Sequence, residues 1–192
     1  MMPVLETERL IIKAGTIDDF IKVHEFDFNY LQNIDGLFEF VKREPDEIRS
    51  WFPDSLDKFY QDIRSKNHYD FIVYLNESMI PIGHICFDRN DGKLKSTEVA
   101  CYLHPNYWGN GYIKEALIKC MDYLFNNGFE NIIYGYDSNN VKSKSLCDKI
   151  GFEFLEKYTE GNFNGGFSVI YKNIMSKERF YKLYFDVMKK SK

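Results

Sequence analysis

The sequence predicts a mixed α/β domain: a mostly antiparallel sheet of six to seven strands with helices on both faces. Three observations carry this. Short runs rich in β-branched and aromatic residues recur between turn residues; helical periods interrupt them; and no repeat or Pro/Gly/Ser linker divides the chain. A chain of 192 residues suits one domain, read as residues 1–175 followed by a helical extension at 176–192. It can bury a sizeable core without disulfide or metal staples.

Leu10–Ala14 reads as a first strand, and Thr16 followed by Asp18 and Asp19 as a helix start. From Ile17 to about Lys42 an aromatic helical pattern, broken at Asn33 and Gly36, predicts two short helices. Pro53-Asp54-Ser55 opens another through about Ser65. Phe71–Leu75 and Ile80–Asp88 form a hairpin, Asn90-Asp91-Gly92 the next turn, and Thr97–Leu103 a further strand stopped by His104-Pro105. Ile113, Ala116, Leu117, Cys120, Met121, Leu124 and Phe125 then line one helical face that Asn127-Gly128 ends. Asn131–Tyr136 is a strand, and Asn140–Ile150 a helix closed by Gly151. Phe152–Tyr158 and Phe167–Ile174 are two last strands. From Met175 onward Phe180, Leu183, Tyr184 and Val187 share one helical face.

A net charge of −4 and a pI near 5.6 argue against a general nucleic-acid binder or a polybasic membrane anchor. Cys86, Cys101, Cys120 and Cys147 form no CxxC or CxH pair, so no metal site is expected. Residues 1–9 lack the basic and apolar regions of a signal peptide, and no apolar run approaches membrane-spanning length. A cytoplasmic, reduced protein is expected.

The densest chemical signal is Leu103-His104-Pro105-Asn106-Tyr107-Trp108-Gly109-Asn110-Gly111-Tyr112. A strand ends, proline turns the chain, and a G-x-G loop opens a long helix. Glycines let backbone approach a ligand, and first-turn N–H groups with the positive helix end behind them suit a pyrophosphate. A tight turn alone is the alternative. Rossmann and Walker A patterns fail, lacking a third glycine and a Gly-Lys-Ser/Thr ending.

With Asn140-x-x-Ser143 and Gly151-Phe152 downstream, the sequence resembles the GNAT superfamily of acyl-CoA-dependent N-acetyltransferases, and most closely its Rim-type branch of ribosomal-protein N-acetyltransferases and relatives. Thr7-Glu8-Arg9-Leu10, Ile82-Gly83, Thr97–Pro105 and Asn106-x-x-Gly109-x-Gly111 add ordered blocks from about Glu6 to about Ile174, with Asn106 where Gln or Arg is commoner.

The resemblance implies the acyl-CoA N-acyltransferase fold, whose sheet splays after its fourth strand, and acetyl transfer from acetyl-CoA to a primary amine by direct attack in a ternary complex. The amine would be a peptide or protein N-terminus or a small molecule, and the enzyme a monomer or homodimer. By the same resemblance, backbone of Cys101, Tyr102 and Leu103 pairs with the pantetheine arm. Gly109, Asn110, Gly111 and Tyr112, with Asn106 opening the loop, hold the pyrophosphate. One amide near Leu103 polarises the thioester carbonyl.

Glu98 is the candidate base, against a solvent-facing strand residue; His84 and His104 are rivals with structural readings of their own. Asn140 bonds the pantetheine amide, caps its helix, or both. Many family members place a tyrosine proton donor where this chain has Cys147. Ser143 is the candidate replacement, Cys147 reading as packing. Lys142, Lys144 and Lys149 offer cations for the CoA 3′-phosphate, or a solvated face. The missing tyrosine also keeps open a non-catalytic acyl-CoA-binding regulator on the same fold.

Overall fold

A computed structural model describes residues 2–16, 19, 22–23, 68–89, 95–161 and 166–190. Eight strands form one sheet: β1 (Leu5–Glu6), β2 (Leu10–Lys13), β3 (His68–Leu75), β4 (Pro81–Arg89), β5 (Ser96–Leu103), β6 (Asn131–Asp137), β7 (Glu153–Gly161) and β8 (Phe167–Ser176), in the spatial order β1-β2-β3-β4-β5-β6-β8-β7. Every neighbouring pair is antiparallel except β5 and β6. That exception follows from the long helix between them, because a parallel return needs a crossover.

The strand count corrects the expected six to seven. Leu5–Glu6 pairs with Ile11 and Ile12, and the Thr7 N–H donates to the Leu10 carbonyl at 2.9 Å to close the turn. Two residues are too few to show an alternating pattern.

Three helices, α1 (Tyr112–Asn126), α2 (Val141–Ile150) and α3 (Lys177–Lys190), share one core cluster on one face of the sheet. Leu117, Cys120, Met121 and Leu124 of α1 belong to one buried cluster with Phe71, Ile85 and Phe87 of the sheet; α2 adds Cys147 and Ile150, and α3 adds Phe180. These three helices occupy one face and the helical residues Lys22 and Val23 the other, so among the described residues helices lie on both faces. On the opposite face Ile72 and Tyr74 pack with Val23.

The helix start at Thr16 is present as a reciprocal cap: the Asp19 carboxylate accepts from the Thr16 N–H at 2.9 Å, and the Thr16 hydroxyl accepts from the Asp19 N–H at 3.2 Å. Apart from residues 19, 22 and 23, the helices expected from Ile17 to Lys42 and from Pro53 to Ser65 lie outside the described residues.

α3 begins directly after β8. Phe180 is fully buried with its ring 5.1 Å from that of Phe125, and the Tyr184 hydroxyl donates to the Ile150 carbonyl at 2.7 Å. Leu183, expected on the same apolar face, is 47% exposed.

Candidate active site

β5 and β6 hold together for only half their length. Their parallel register runs from Ser96↔Asn131 to Val99↔Tyr134. β5 then continues to Leu103 against β4, and β6 to Asp137 against β8. Each strand keeps its outer neighbour while the two part from each other. The result is a V-shaped cleft with its closed end at Val99 and Tyr134, walled on one side by Ala100–Leu103.

The loop at the open end is built for close approach. Gly109 and Gly111 have φ of 81° and 77°, left-handed values that disfavour other residues. A Cβ at Gly109 would meet nothing within 4 Å, and one at Gly111 only the Arg9 Nη2 at 3.8 Å. Gly111 caps α1 without a side chain, so the first-turn N–H groups are not covered by a side-chain cap. Glu115 in that turn would oppose an anion, but Arg9 engages it, Nε donating to Oε2 at 2.8 Å. Arg9 also donates to the Asn110 carbonyl at 3.1 Å and lies 4.6 Å from the Tyr112 ring centre. These residues fit a pyrophosphate: an open glycine loop, a helix N-terminus and an adjacent guanidinium.

The remaining loop residues shape the turn. Trp108 Nε1 donates to the Leu103 carbonyl at 2.7 Å, and Asn110 Nδ2 to the Trp108 carbonyl at 3.1 Å. Asn106 is exposed. Lys142 of α2 puts its ammonium 3.5 Å from the Trp108 ring centre. Lys144 pairs with Asp148 at 2.6 Å on an exposed face, and Lys149 is exposed nearby.

At the closed end of the cleft the register sorts the candidates onto two faces. Glu98, paired with Ile133, faces away from the three helices, whereas Val99 and Tyr134 face them. The Glu98 side chain is 36% exposed and Oε2 accepts from Lys172 Nζ at 3.0 Å. That hydrogen bond raises the Lys172 pKa.

On the helix face, the Tyr134 hydroxyl lies 2.8 Å from Ser143 Oγ and 3.7 Å from Cys101 Sγ. Asn140 caps α2, its Oδ1 accepting from the Ser143 N–H at 2.9 Å. Cys147 is 1% exposed inside the core, and burial pushes its thiol up to about 12. Burial likewise raises the Cys101 thiol to about 11, which suits backbone rather than thiol chemistry there.

The histidines are held elsewhere. His84 Nε2 bonds Asp70 Oδ1, both buried between β3 and β4. His104 Nδ1 accepts from the Asn106 N–H at 3.3 Å, capping the turn at Pro105–Tyr107. The structure thus gathers Cys101, Tyr102, Leu103, Asn140 and Ser143 around one cleft, with the Asn106–Tyr112 loop at its mouth and Glu98 on its far face.

Arg9, Lys172 and Tyr134 were not singled out by the residue patterns. Arg9 sits in the Thr7-Glu8-Arg9-Leu10 block, whose pattern marks the resemblance and assigns Arg9 no role. Lys172 and Tyr134 acquire neighbours only through register across β5, β6 and β8.

A parallel β5/β6 pair splayed beside a glycine loop and helix N-terminus defines an acyl-CoA-type transferase fold. The chain belongs to the acetyltransferase (GNAT) domain family, whose model matches residues 9–153. It is 26% identical over 151 residues to the uncharacterized N-acetyltransferase YnaD of Bacillus subtilis, covering 77% of this chain and 81% of that one. Its fold is similar to Mycobacterium smegmatis RimJ in complex with CoA-disulfide (TM-score 0.73, 12% identity, 96% and 93% of the two chains). It is also similar to the ribosomal-protein-S5-alanine acetyltransferase of Vibrio fischeri (TM-score 0.72, 15% identity, 93% and 98%). Among the described residues no group of three His, Cys, Asp or Glu could hold a metal, and no helix is long and apolar enough to cross a membrane.

Proposed function

We propose that this protein is an acetyl-CoA-dependent N-acetyltransferase that moves an acetyl group to a primary amine by direct attack in a ternary complex. The observation that carries the reading is the cleft opening after Val99↔Tyr134 with the open Gly109–Gly111 loop at its mouth. Bound there, acetyl-CoA supplies an activated thioester. The backbone of Cys101–Leu103 adds it like a strand, and N–H groups of Gly109–Tyr112 hold the pyrophosphate beside Arg9.

Glu98 is the base. It faces the side of the sheet away from the helices and is exposed enough for an amine to reach it. An amine nitrogen becomes strongly acidic as its bond to carbon forms, and Glu98 takes the proton then, directly or through water. Lys172 holds the carboxylate in place. An amide near Leu103 donates to the developing oxyanion.

The acceptor is a peptide or protein N-terminal amine or a small amine; the Vibrio fischeri neighbour is named for a protein alanine. We place the protein in the cytoplasm, since all four cysteines are free, as a reducing compartment keeps them.

The test is release of CoA thiol from acetyl-CoA across a panel of peptides, polyamines and other primary amines. Turnover on at least one acceptor, with acetylated product, is expected. Tight acetyl-CoA binding with no turnover on any would assign the chain to the non-catalytic regulators instead.

A further inference from the structure

We propose that Trp108 is a gate at the mouth of the β5–β6 cleft: its indole competes with the acetyl-CoA arm for the Leu103 carbonyl, and the Lys142 ammonium latches it from the opposite wall. The inference rests on the acetyltransferase reading and adds to it a step that controls entry of the cofactor.

The direction of one carbonyl places the indole. The His104 N–H donates to the Ile82 carbonyl, on β4, at 2.8 Å. A trans peptide turns its N–H and its carbonyl to opposite sides, so the Leu103 carbonyl points away from β4. Pairing of β5 with β6 ends at Val99, so that direction is the open cleft. The group that meets the carbonyl there is Trp108 Nε1, at 2.7 Å.

The second wall holds the same ring. α2 follows β6, and Lys142 in its first turn puts Nζ 3.5 Å from the Trp108 ring centre. One indole therefore engages β5 through its N–H and α2 through its face. An arm that runs from the glycine loop along Cys101–Leu103 passes between these two walls and meets the indole. An amide N–H of that arm and the indole N–H seek the same acceptor from the same side.

Both contacts are weak enough for a cofactor to displace. A neutral hydrogen bond and an exposed cation–π contact each favour one arrangement roughly two- to tenfold. Lys142 is exposed as a residue, and partial burial of its ammonium lowers its pKa. A polyanion arriving at Gly109–Tyr112 offers that ammonium a stronger partner than a ring face. Trp108 directly precedes this loop, so the phosphates release the latch while the arm takes the carbonyl.

The test follows the indole N–H by nuclear magnetic resonance on the full chain. The sequence has two tryptophans, Trp51 and Trp108, so the Trp108 signal is assigned by its loss in Trp108→Phe. Saturating CoA should move this signal and speed its exchange with water severalfold. Lys142→Met should speed the same exchange in the absence of CoA. Trp108→Phe keeps a ring for Lys142 but lacks the N–H, and by calorimetry should bind CoA roughly two- to tenfold more tightly. The exchange measurement keeps the proposal testable if Trp108→Phe folds poorly, since Lys142→Met, with the Trp51 signal as reference, then identifies the peak. Unchanged or slower exchange at CoA saturation, or equal or weaker binding by folded Trp108→Phe, overturns the gate alone. Unchanged exchange in Lys142→Met overturns the latch. Failure of wild type to bind CoA overturns the gate and the acetyltransferase reading together.

Discussion

Glu98 and Lys172 form an ion pair across a strand that belongs to neither of them. Lys172 Nζ donates to Glu98 Oε2 at 3.0 Å, β5 to β8, with β6 between. Gly135 makes the pair possible: it pairs with Lys172, and a Cβ there would come within 3.1 Å of Glu98 Oε1.

If Glu98 takes the amine proton, Glu98→Gln should lower kcat/KM roughly 10²–10⁴-fold. Acetyl-CoA affinity should hardly change, since the loop and the Cys101–Leu103 backbone are untouched. Steady-state kinetics with calorimetry check both. An unaltered pH–rate profile in this variant would return the role to water or to a histidine.

Gly135→Val tests the same geometry without touching a charge. The added methyl groups force the Glu98 carboxylate aside, and a displaced base should cost roughly tenfold or more in kcat. Gly135 has no positive φ, so thermal stability should change little. A fully active, folded Gly135→Val would show that the position of Glu98 does not matter.

The ion pair also has a pH signature. The Glu98 hydrogen bond raises the Lys172 pKa above 10.5. Its contribution to stability is fully present below 10.5 and fades as pH rises through the folded value. Both side chains are partly solvated, so the contribution is about 1 kcal/mol or less. Thermal melts of wild type and Glu98→Gln should therefore differ most at neutral pH and converge in strong alkali. A gap that widens above pH 10.5 would contradict this.

Much of the fold was legible because its signals are local. The apolar face of α1, Gly151 closing α2 and the hairpin turns each lie within one short window of sequence. The glycine loop was legible for the same reason, and Asn140 as a cap needed only Ser143 three residues on. Tyr134, Lys172 and the termination of β5–β6 pairing at Val99 were not, because they depend on register between residues 35 (Val99 and Tyr134) to 74 (Glu98 and Lys172) positions apart. Leu5–Glu6 escaped through shortness. His84 shows the reverse case: its residue type suited a base, and only its partner Asp70 reveals a buried structural pair.

α3 should act as part of the core. Phe180 is fully buried against Phe125, so Phe180→Ala should cost about 3–5 kcal/mol. We expect deletion of residues 176–192 to lower the melting temperature without changing the mass per particle in light scattering. A dimer-to-monomer shift on deletion would instead assign the helix to a subunit contact.

The central claim is that acetyl-CoA occupies the β5–β6 cleft through the glycine loop, and calorimetric titration of wild type and Gly111→Val tests it most directly. A side chain at φ 77° carries about 1–2 kcal/mol of strain, which a folded domain of 5–15 kcal/mol tolerates. The same side chain obstructs the backbone N–H groups at the start of α1. Wild type should bind one acetyl-CoA per chain, and the folded variant should bind at least roughly tenfold more weakly. Equal affinity in a folded Gly111→Val, or no binding by wild type, would contradict the account.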